Sequence, residues 1–199
     1  MSKKRKLAVG LLIGLSMVLA GCGGSNTNDV STVALVLPAE NYKIFEGNGF
    51  TLQYPRDWET KNKSQVAEQY KDSVEAVFIS NFKDQFFTPV ITVELLAVQE
   101  GVGNPGFADE MIARNEAVLI DYEEQERLTI PTVIGNEVVN TYLIRFRGKE
   151  KLQDDTLEFL QTYLAHGASG FVVTAAYDPT SDLSEAEKLV NSLQTFKLK

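Results

Sequence analysis

The second half of the chain contains four long segments in which apolar and polar residues alternate, and short links join them. The segments cover residues 122–130, 137–147, 156–166 and 171–177. Alternation with a period of two is typical of β-strands, because successive side chains point to opposite faces of a sheet. Short links that contain glycine join strands that run antiparallel, since parallel strands need a longer crossover. This part of the chain is therefore predicted to form an antiparallel sheet.

A hairpin is predicted ahead of these strands. Residues 42–45 and 50–54 alternate on either side of a Glu-Gly-Asn-Gly turn at residues 46–49, which is the pattern of a β-hairpin. Pro55 ends the second strand because proline has no N–H to donate to a sheet. Trp58 follows directly, and we expect its ring to fold over the end of the strand and become buried.

The remaining predicted elements are two strands, a short helix and two longer helices, at residues 74–82, 90–98, 64–71, 105–119 and from 184 onward. The first long helix has Asn104 as an N-cap and Pro105 at its first position. The second begins with Ser184 and Glu187, which have the spacing of a capping box. Strand-rich runs with helices between and after them predict an α+β fold.

One predicted strand is apolar on both of its faces. Leu157, Phe159 and Tyr163 share one face of the segment 156–166, and Leu160 and Leu164 share the other. A strand of this kind is covered on both sides. We therefore expect an antiparallel sheet sandwiched between α-helices.

The chain begins with a basic and then apolar segment that ends at its only cysteine. Residues 3–6 are all Lys or Arg, and residues 7–20 are apolar apart from glycines and Ser16. A helix over residues 7–20 would be about 21 Å long, against roughly 30 Å of hydrocarbon in a bilayer. The segment therefore suits a cleaved signal better than a permanent span. Its end has the composition of a bacterial lipobox, which is Leu19, Ala20, Gly21 and Cys22.

The lipobox predicts where the protein works. We expect residues 1–21 to be removed as a signal peptide and the Cys22 thiol to take a diacylglyceryl group. Residues 22–32 are then a flexible tether, and residues 33–199 form a single domain. The protein is predicted to be lipid-anchored at the extracytoplasmic face of the cell membrane. The alternative is an ordinary signal peptide with an incidental cysteine.

The charge of the predicted mature chain limits the classes of partner that it can bind. It holds 15 Lys and Arg residues against 27 Asp and Glu residues, a net charge of −12. This excess argues against binding to nucleic acid and against a second attachment to anionic lipid. With Cys22 lipidated, no disulfide can form, so the fold depends on apolar packing.

Residues 49–59, GFTLQYPRDWE, combine a strand, a proline stop and a tryptophan. Later in the chain come the strand at residues 171–175 and the final helix with Leu189, Val190 and Leu193. These segments resemble the opening motif and the later part of the PsbP-like superfamily, which includes the extrinsic photosystem II protein and bacterial lipoproteins of the DcrB type.

The resemblance implies a PsbP-like α/β/α sandwich, and accessory or binding roles rather than catalysis. It carries over no functional residue. The lipid anchor departs from the photosynthetic members and argues against a role in oxygen evolution.

His166 is the only histidine, and it lies three residues before Ser169. The segment Gly-Ala-Ser-Gly-Phe at residues 167–171 nearly matches the nucleophile elbow G-x-S-x-G, but Phe171 breaks the motif. The elbow also needs a turn from a strand to a helix, whereas this link joins two strands. We therefore expect a hairpin with a surface histidine.

A dense group of carboxylates precedes the long strands, and it consists of Asp121, Glu123, Glu124 and Glu126. Such a group can suggest Ca²⁺ or Mn²⁺, but hard cations need six or more converging oxygens and no EF-hand loop is present. One histidine and one lipidated cysteine do not make a zinc or copper site. We expect a solvated acidic edge, with no metal and no cofactor.

Four basic residues alternate at the end of one predicted strand, and they are Arg145, Arg147, Lys149 and Lys151. If the strand continues, all four share one face. This basic stripe can dock an acidic partner or a phosphate. The alternative is pairing across strands with Asp154, Asp155, Glu158 or the acidic edge.

Taken together, these features predict a lipid-anchored accessory or binding protein of the bacterial envelope that is not an enzyme. Its expected partners are the membrane, through Cys22, and an envelope protein, through the basic stripe. Two alternatives stay open. The first is an envelope hydrolase, which would need a cleft with a perturbed acid or base. The second is a carrier of a small apolar ligand, with a pocket between sheet and helix.

Overall fold

The structure, a computed structural model, describes residues 40–66, 72–82, 87–180 and 183–199. The predicted signal peptide with its lipobox, the tether and the first residues of the predicted domain lie outside these ranges. None of the helices within them is long and apolar enough to cross a membrane.

Within the described residues the chain forms one ten-stranded sheet and three helices. The strands are β1 (Tyr42–Glu46), β2 (Phe50–Pro55), β3 (Glu59–Asn62), β4 (Val74–Ile79), β5 (Val90–Ala97), β6 (Ile120–Ile134), β7 (Glu137–Lys149), β8 (Leu157–His166), β9 (Ser169–Tyr177) and β10 (Lys197–Leu198). The helices are α1 (Lys63–Val66), α2 (Asn104–Val118) and α3 (Leu183–Gln194). The strand order is β1-β2-β10-β6-β7-β8-β9-β5-β4-β3.

The predicted hairpins are confirmed. β1 and β2 pair antiparallel, and so do β6 with β7, β7 with β8, and β8 with β9. The β8–β9 turn is tighter than expected, because Ser169 already pairs with His166 and only two residues lie between them. Gly167 in this turn has a φ of 60°, in the left-handed region that glycine tolerates best. The helix predicted at residues 105–119 is α2, but Gly103 rather than Asn104 is its N-cap. The Asn104 side chain instead donates to the carbonyl of Asn140 and accepts from the N–H of Ala165. The last five residues of the short helix predicted at 64–71 lie outside the described ranges.

The concave face of the sheet holds the larger core. Leu189 and Leu193 of α3 pack there against Phe50 and Leu52 of β2. Phe78 of β4 makes two ring contacts in this core, with centroids 5.1 Å from Phe45 and 5.0 Å from Tyr54. Because β1 and β2 lie at one end of the strand order and β4 lies near the other, these rings hold the sheet in a curl.

Trp58 is buried in the same core, as its position after Pro55 predicted. Its side chain is 4% exposed, and its backbone N–H donates to the carbonyl of Pro55 in the turn after β2. The ring therefore closes the end of the strand, although its Nε1 has no hydrogen-bond partner among the described residues.

The opposite face of the sheet carries α2. Phe107, Ala108, Met111 and Ile112 of this helix pack on sheet residues that include Tyr163 and Val172. The contact is close at Gly170 of β9, where an added Cβ would lie 2.4 Å from Phe107 and from Val98. Glycine is therefore needed at this position for α2 to reach the sheet.

The expectation of a sheet sandwiched between helices is wrong. The structure is mostly β: 52% of the described residues lie in strands and 21% in helices. The ten strands form one curled half-barrel. The two-sided apolar pattern of β8 is real, since Leu160 and Leu164 face the concave core and Phe159 and Tyr163 face α2. On the concave side, however, much of the cover comes from the opposite end of the same sheet rather than from a helical layer.

Candidate functional site: a groove beside helix α2

Helix α2 covers only part of its face of the sheet, and an open groove lies beyond its C-terminal half. The groove has a volume of about 1060 Å³. Its floor is formed by β5, β8 and β9, one wall by the last turns of α2, and another by the loop at residues 150–155. A volume of this size is typical of sites for small molecules.

The antiparallel register arranges the floor in rows of side chains. One row is apolar and consists of Val90, Ala176 and Phe159, which lie opposite one another on three neighbouring strands. The ring of Phe159 stacks on Phe146 with centroids 5.1 Å apart and an angle of 14° between the rings. This stacking holds the Phe159 ring against the buried Phe146.

The next row toward α2 is polar. It consists of Thr92, Thr174 and Gln161, again directly opposite one another. Gln161 is 7% exposed, and its Nε2 donates to the Thr174 hydroxyl at 2.6 Å. Its Oε1 accepts from Asn115 Nδ2 of α2 at 2.7 Å.

The same Gln161 oxygen accepts a second hydrogen bond, from the Tyr163 hydroxyl at 2.7 Å. Burial raises the pKa of Tyr163 well above its ordinary value, so this hydroxyl stays a donor at neutral pH. Two donors on one oxygen fix which end of the Gln161 amide is the oxygen, and the N–H groups consequently point toward Thr174. The polar row is therefore held in one arrangement before any ligand binds.

The far end of the groove is acidic. Asp178 follows β9 and is 7% exposed, and Asp154 and Asp155 line the same groove from the loop. One oxygen of Asp178, Oδ1, accepts from the backbone N–H and the hydroxyl of Thr180 at 2.7 and 2.6 Å. No Lys or Arg among the described residues forms an ion pair with this carboxylate.

The basic stripe lies on the opposite, concave side of the sheet, where two of its members share one buried partner. Glu158 is 1% exposed and accepts from the Nε of Arg145 through one oxygen. Its other oxygen accepts from the Nε and Nη2 of Arg147 at 3.2 and 3.1 Å. Tyr177 donates its hydroxyl to Glu158 as well, at 2.7 Å.

These contacts set the pKa values of the cluster. Burial by itself raises the pKa of Glu158, but the hydrogen bonds from Arg145, Tyr177 and Arg147 outweigh it and hold the pKa below its ordinary value of 4.5. Burial and the bond to Glu158 raise the pKa of Tyr177. The hydrogen bond to Glu158 raises that of Arg145. The cluster therefore contains a carboxylate and two guanidinium groups at neutral pH.

The other two members of the stripe lie elsewhere. Lys149 ends β7 and forms an ion pair with Asp121 at 2.8 Å. Lys151 lies in the exposed loop beyond the strand, so the four residues do not form one continuous row. A variant with both arginines changed to Glu would test the stripe as a binding surface, but it would place two further carboxylates beside Glu158. Loss of partner binding in that variant could then result from misfolding as readily as from a lost contact.

The acidic edge is an irregular, largely solvent-exposed part of β6. Glu123, Glu124 and Glu126 lie beside two β-bulges in its pairing with β7, and Arg127 pairs with Glu124 at 2.7 Å. No group of three or more acidic, His or Cys side chains in the described ranges is arranged to hold a metal ion. In the described sheet β10 pairs with β6 only at Ile134, so the acidic part of β6 is locally an edge. Bulges and charges of this kind protect a sheet edge from pairing with other chains.

His166 lies exposed at the end of β8, in the turn to β9. The expected hairpin with a surface histidine is confirmed, and the nearby Ser169 is part of the strand pair rather than of a nucleophile elbow.

A pocket between sheet and helix was one of the open alternatives, but the residues of the groove were not predicted from the sequence. Its polar row joins the β8–β9 hairpin to β5, which lies much earlier in the chain, so the row exists only once the register is known. One local signal was available. Gln161 stands on a strand face otherwise formed by Leu157, Phe159 and Tyr163, and a polar residue in an apolar face marks either a buried hydrogen bond or a site.

Comparisons with known proteins describe the fold. No model of a known protein family matches the sequence, and no curated protein matches it. The solution structure of cyanobacterial PsbP (CyanoP) from Synechocystis sp. PCC 6803 is similar, with a TM-score of 0.54 and 12% identity, over 88% of this chain and 98% of that one. The crystal structure of PA94, a protein of unknown function from Pseudomonas aeruginosa, is similar with a TM-score of 0.51 and 12% identity, over 78% of this chain and 95% of that one.

At this level of identity the likeness concerns the fold alone. The predicted resemblance is confirmed to that extent: the chain has a PsbP-like fold.

Proposed function

We propose that the protein is a lipid-anchored, non-catalytic binding protein at the extracytoplasmic face of a bacterial cell membrane, and that the groove beside α2 is its binding site. The groove carries the proposal. It is large enough for a small molecule, and its polar groups are already positioned by hydrogen bonds.

The anchor part of the proposal rests on the N-terminal sequence, with Leu19, Ala20 and Gly21 before Cys22. A diacylglyceryl group contributes two acyl chains, and two chains hold a protein on a membrane durably where one does not. Ten tether residues would span about 16–19 Å on average. The domain then stays near one membrane surface, which raises its effective concentration toward ligands and partners there.

The groove supports binding rather than hydrolysis. Its hydroxyl group at Thr174 is hydrogen-bonded to the amide of Gln161, which is not a base. His166 lies outside the lining of the groove. A hydrolase needs a nucleophile or a water beside a base that is itself oriented by a third group. The hydrogen bonds among the described residues that line the groove form no such arrangement.

Two experiments test the two parts separately. The anchor is tested with Cys22→Ala in cells fed labelled palmitate. We expect unprocessed precursor and no label, and normal labelling of this variant would refute the lipid anchor.

The groove is tested by purifying the protein from its own membrane and extracting small molecules for mass spectrometry. We expect a co-purifying compound that is lost in Ala176→Phe, because the larger side chain fills the apolar row. Leu183→Phe is the matched control, since Leu183 is 81% exposed on α3. Equal recovery from Ala176→Phe and the control, with both variants folded, would show that the groove is not the site.

A further inference from the structure

We infer that the ligand of the groove is a small organic cation with an apolar body. This inference rests on the proposed function, because it takes the groove to be the binding site and assigns the chemistry of what fills it.

Asp178 is the first reason. The Asp178 side chain lines the groove and is 7% exposed. The hydrogen bonds that it accepts from described residues both come from Thr180, and both go to Oδ1. A positive group of a ligand in the groove can pair with Oδ2, and a charge-assisted contact of this kind is stronger than a hydrogen bond between neutral groups.

The charges around the groove also favour a ligand with a positive charge. Among the described residues, five carboxylates line it, and they are Glu94, Glu150, Asp154, Asp155 and Asp178. The same part of the chain contributes two cationic side chains to the lining, Arg114 and Lys149, and Lys149 is paired with Asp121 outside the lining. The potential in the groove is therefore negative, which raises the local concentration of cations and disfavours anions.

The interior of the groove requires an apolar body. The row of Val90, Ala176 and Phe159 lies between Asp178 and the polar row. A bare metal ion or ammonium group would leave this surface in contact with water. The groove is also lined by the aromatic ring of Phe159, which stacks on the buried Phe146, and an aromatic lining suits an aromatic or planar ligand and attracts positive charge.

The two polar ends of the groove set the length of the ligand. Thr174 and Asp178 are four residues apart, and a strand rises about 3.3 Å per residue, so the two ends lie about 13 Å apart. A ligand that spans them has its cationic group beside Asp178. Its other end meets the amide and hydroxyl groups of Asn115, Gln161 and Thr174, which both donate and accept hydrogen bonds.

Two fluorescent dyes of similar apolar character and opposite charge test the inference. The full chain is placed in phosphatidylcholine nanodiscs and titrated with thioflavin T, a planar cation, and with 1-anilinonaphthalene-8-sulfonate, an anion. Empty nanodiscs give the signal from lipid alone. We expect saturable binding of thioflavin T that is at least about tenfold tighter than binding of the anion, and we expect added salt to weaken it.

Variants locate the binding. Asp178→Asn keeps the acceptor for Thr180 but removes the charge, and should weaken thioflavin T about tenfold, the loss expected for one charge-assisted contact. Asp155→Asn removes the charge of an exposed carboxylate in the same groove and should weaken the binding of thioflavin T less than Asp178→Asn does. Glu137→Gln is the control, since it removes an exposed charge on β7 outside the groove, and it should bind like wild type.

The outcomes separate this inference from the proposed function. If both dyes bind equally well, Ala176→Phe abolishes both and Asp178→Asn changes neither, the groove is a binding site but its preference for cations is refuted. If neither dye binds, or if Ala176→Phe leaves both unchanged, the groove as a binding site is refuted as well. Should Asp178→Asn fail to fold, as judged by circular dichroism, the Asp155→Asn variant and the salt dependence decide the charge preference.

Discussion

Replacing Glu158 by Gln removes the negative charge that holds the arginine cluster together. Gln has nearly the same shape, but its Nε2 cannot accept hydrogen bonds, so one arginine loses its acceptor. Arg147 is the more vulnerable, because its Nε and Nη2 both donate to the same Glu158 oxygen, at 3.2 and 3.1 Å. The Tyr177 hydroxyl competes with Arg145 for the remaining oxygen.

The expected loss of stability follows from burial. A hydrogen bond to a charged group contributes about 1.5–3 kcal/mol, and breaking a buried pair by removing one partner costs about 3–5 kcal/mol. Glu158 is buried, but the side chains of Arg145 and Arg147 are 43% and 39% exposed, so water recovers part of the lost interaction. We expect Glu158→Gln to lower the free energy of unfolding by about 2–4 kcal/mol at pH 7.

The assay is urea unfolding of the fragment 30–199, followed by tryptophan fluorescence. With a slope of about 1–3 kcal/mol per molar urea, the midpoint should fall by roughly 1–2 M. The folded pKa of Glu158 is lowered, so its contribution is present above the ordinary value of 4.5 and is lost as the pH falls through the folded pKa. The difference between wild type and variant should therefore be constant above pH 4.5 and shrink below it.

The control is Glu137→Gln, which removes an exposed carboxylate from the same strand as the arginines and should change stability by less than about 0.5 kcal/mol. An unchanged midpoint for Glu158→Gln at pH 7, or a difference that does not shrink in acid, would refute the idea that an ionised Glu158 organises the cluster.

Three further predictions concern the core and the surface. Trp58→Ala should cost about 3–5 kcal/mol, because the buried ring leaves a cavity, and an unchanged urea midpoint would contradict this. Gly170→Ala should cost about 1–3 kcal/mol, since the new methyl group overlaps Phe107, whereas Gly106→Ala in α2 should be neutral or slightly stabilising, because its Cβ meets no atom nearer than 3.4 Å and Ala favours a helix. His166→Ala should leave both stability and ligand recovery unchanged, and a folded, anchored His166→Ala variant without function would revive the enzyme hypothesis.

The strands were predictable because the signals for them are local. Neighbouring residues determine both the alternation at residues 42–54 and 122–177 and the turns between the strands. The hairpins follow from these two signals. Two short strands escaped notice. β3 (Glu59–Asn62) is polar and covers four residues, and β10 (Lys197–Leu198) exists because it bridges β2 and β6 rather than because of its own composition.

The layered sandwich was a wrong prediction because curl is not a local property. Apolar residues on both faces of β8 require cover, but they do not say what supplies it. The contacts of Phe78 with Phe45 and Tyr54 join segments more than twenty residues apart along the chain. Neither segment alone contains a pattern that predicts their contact. The basic stripe shows the same limit: its alternation placed Arg145 and Arg147 on one face, but only the pairing with β8 reveals that they share Glu158.

The groove exists because of where α2 ends. The helix stops at Val118, and Asp121 then takes a φ of 55° at the bulge that starts β6, a conformation that Asp adopts more readily than most residues. Two more turns of helix would add about 11 Å, enough to lie over much of the apolar row. Instead Val118 is left 61% exposed, and the floor beyond it holds Gln161 and Thr174, which need hydrogen bonds to each other and to α2 to be tolerated there. Apolar residues in place of Gln161 and Thr174, covered by a longer helix, would stabilise the fold without needing these hydrogen bonds. We therefore attribute the polar row to the binding function proposed for the groove rather than to the stability of the sheet.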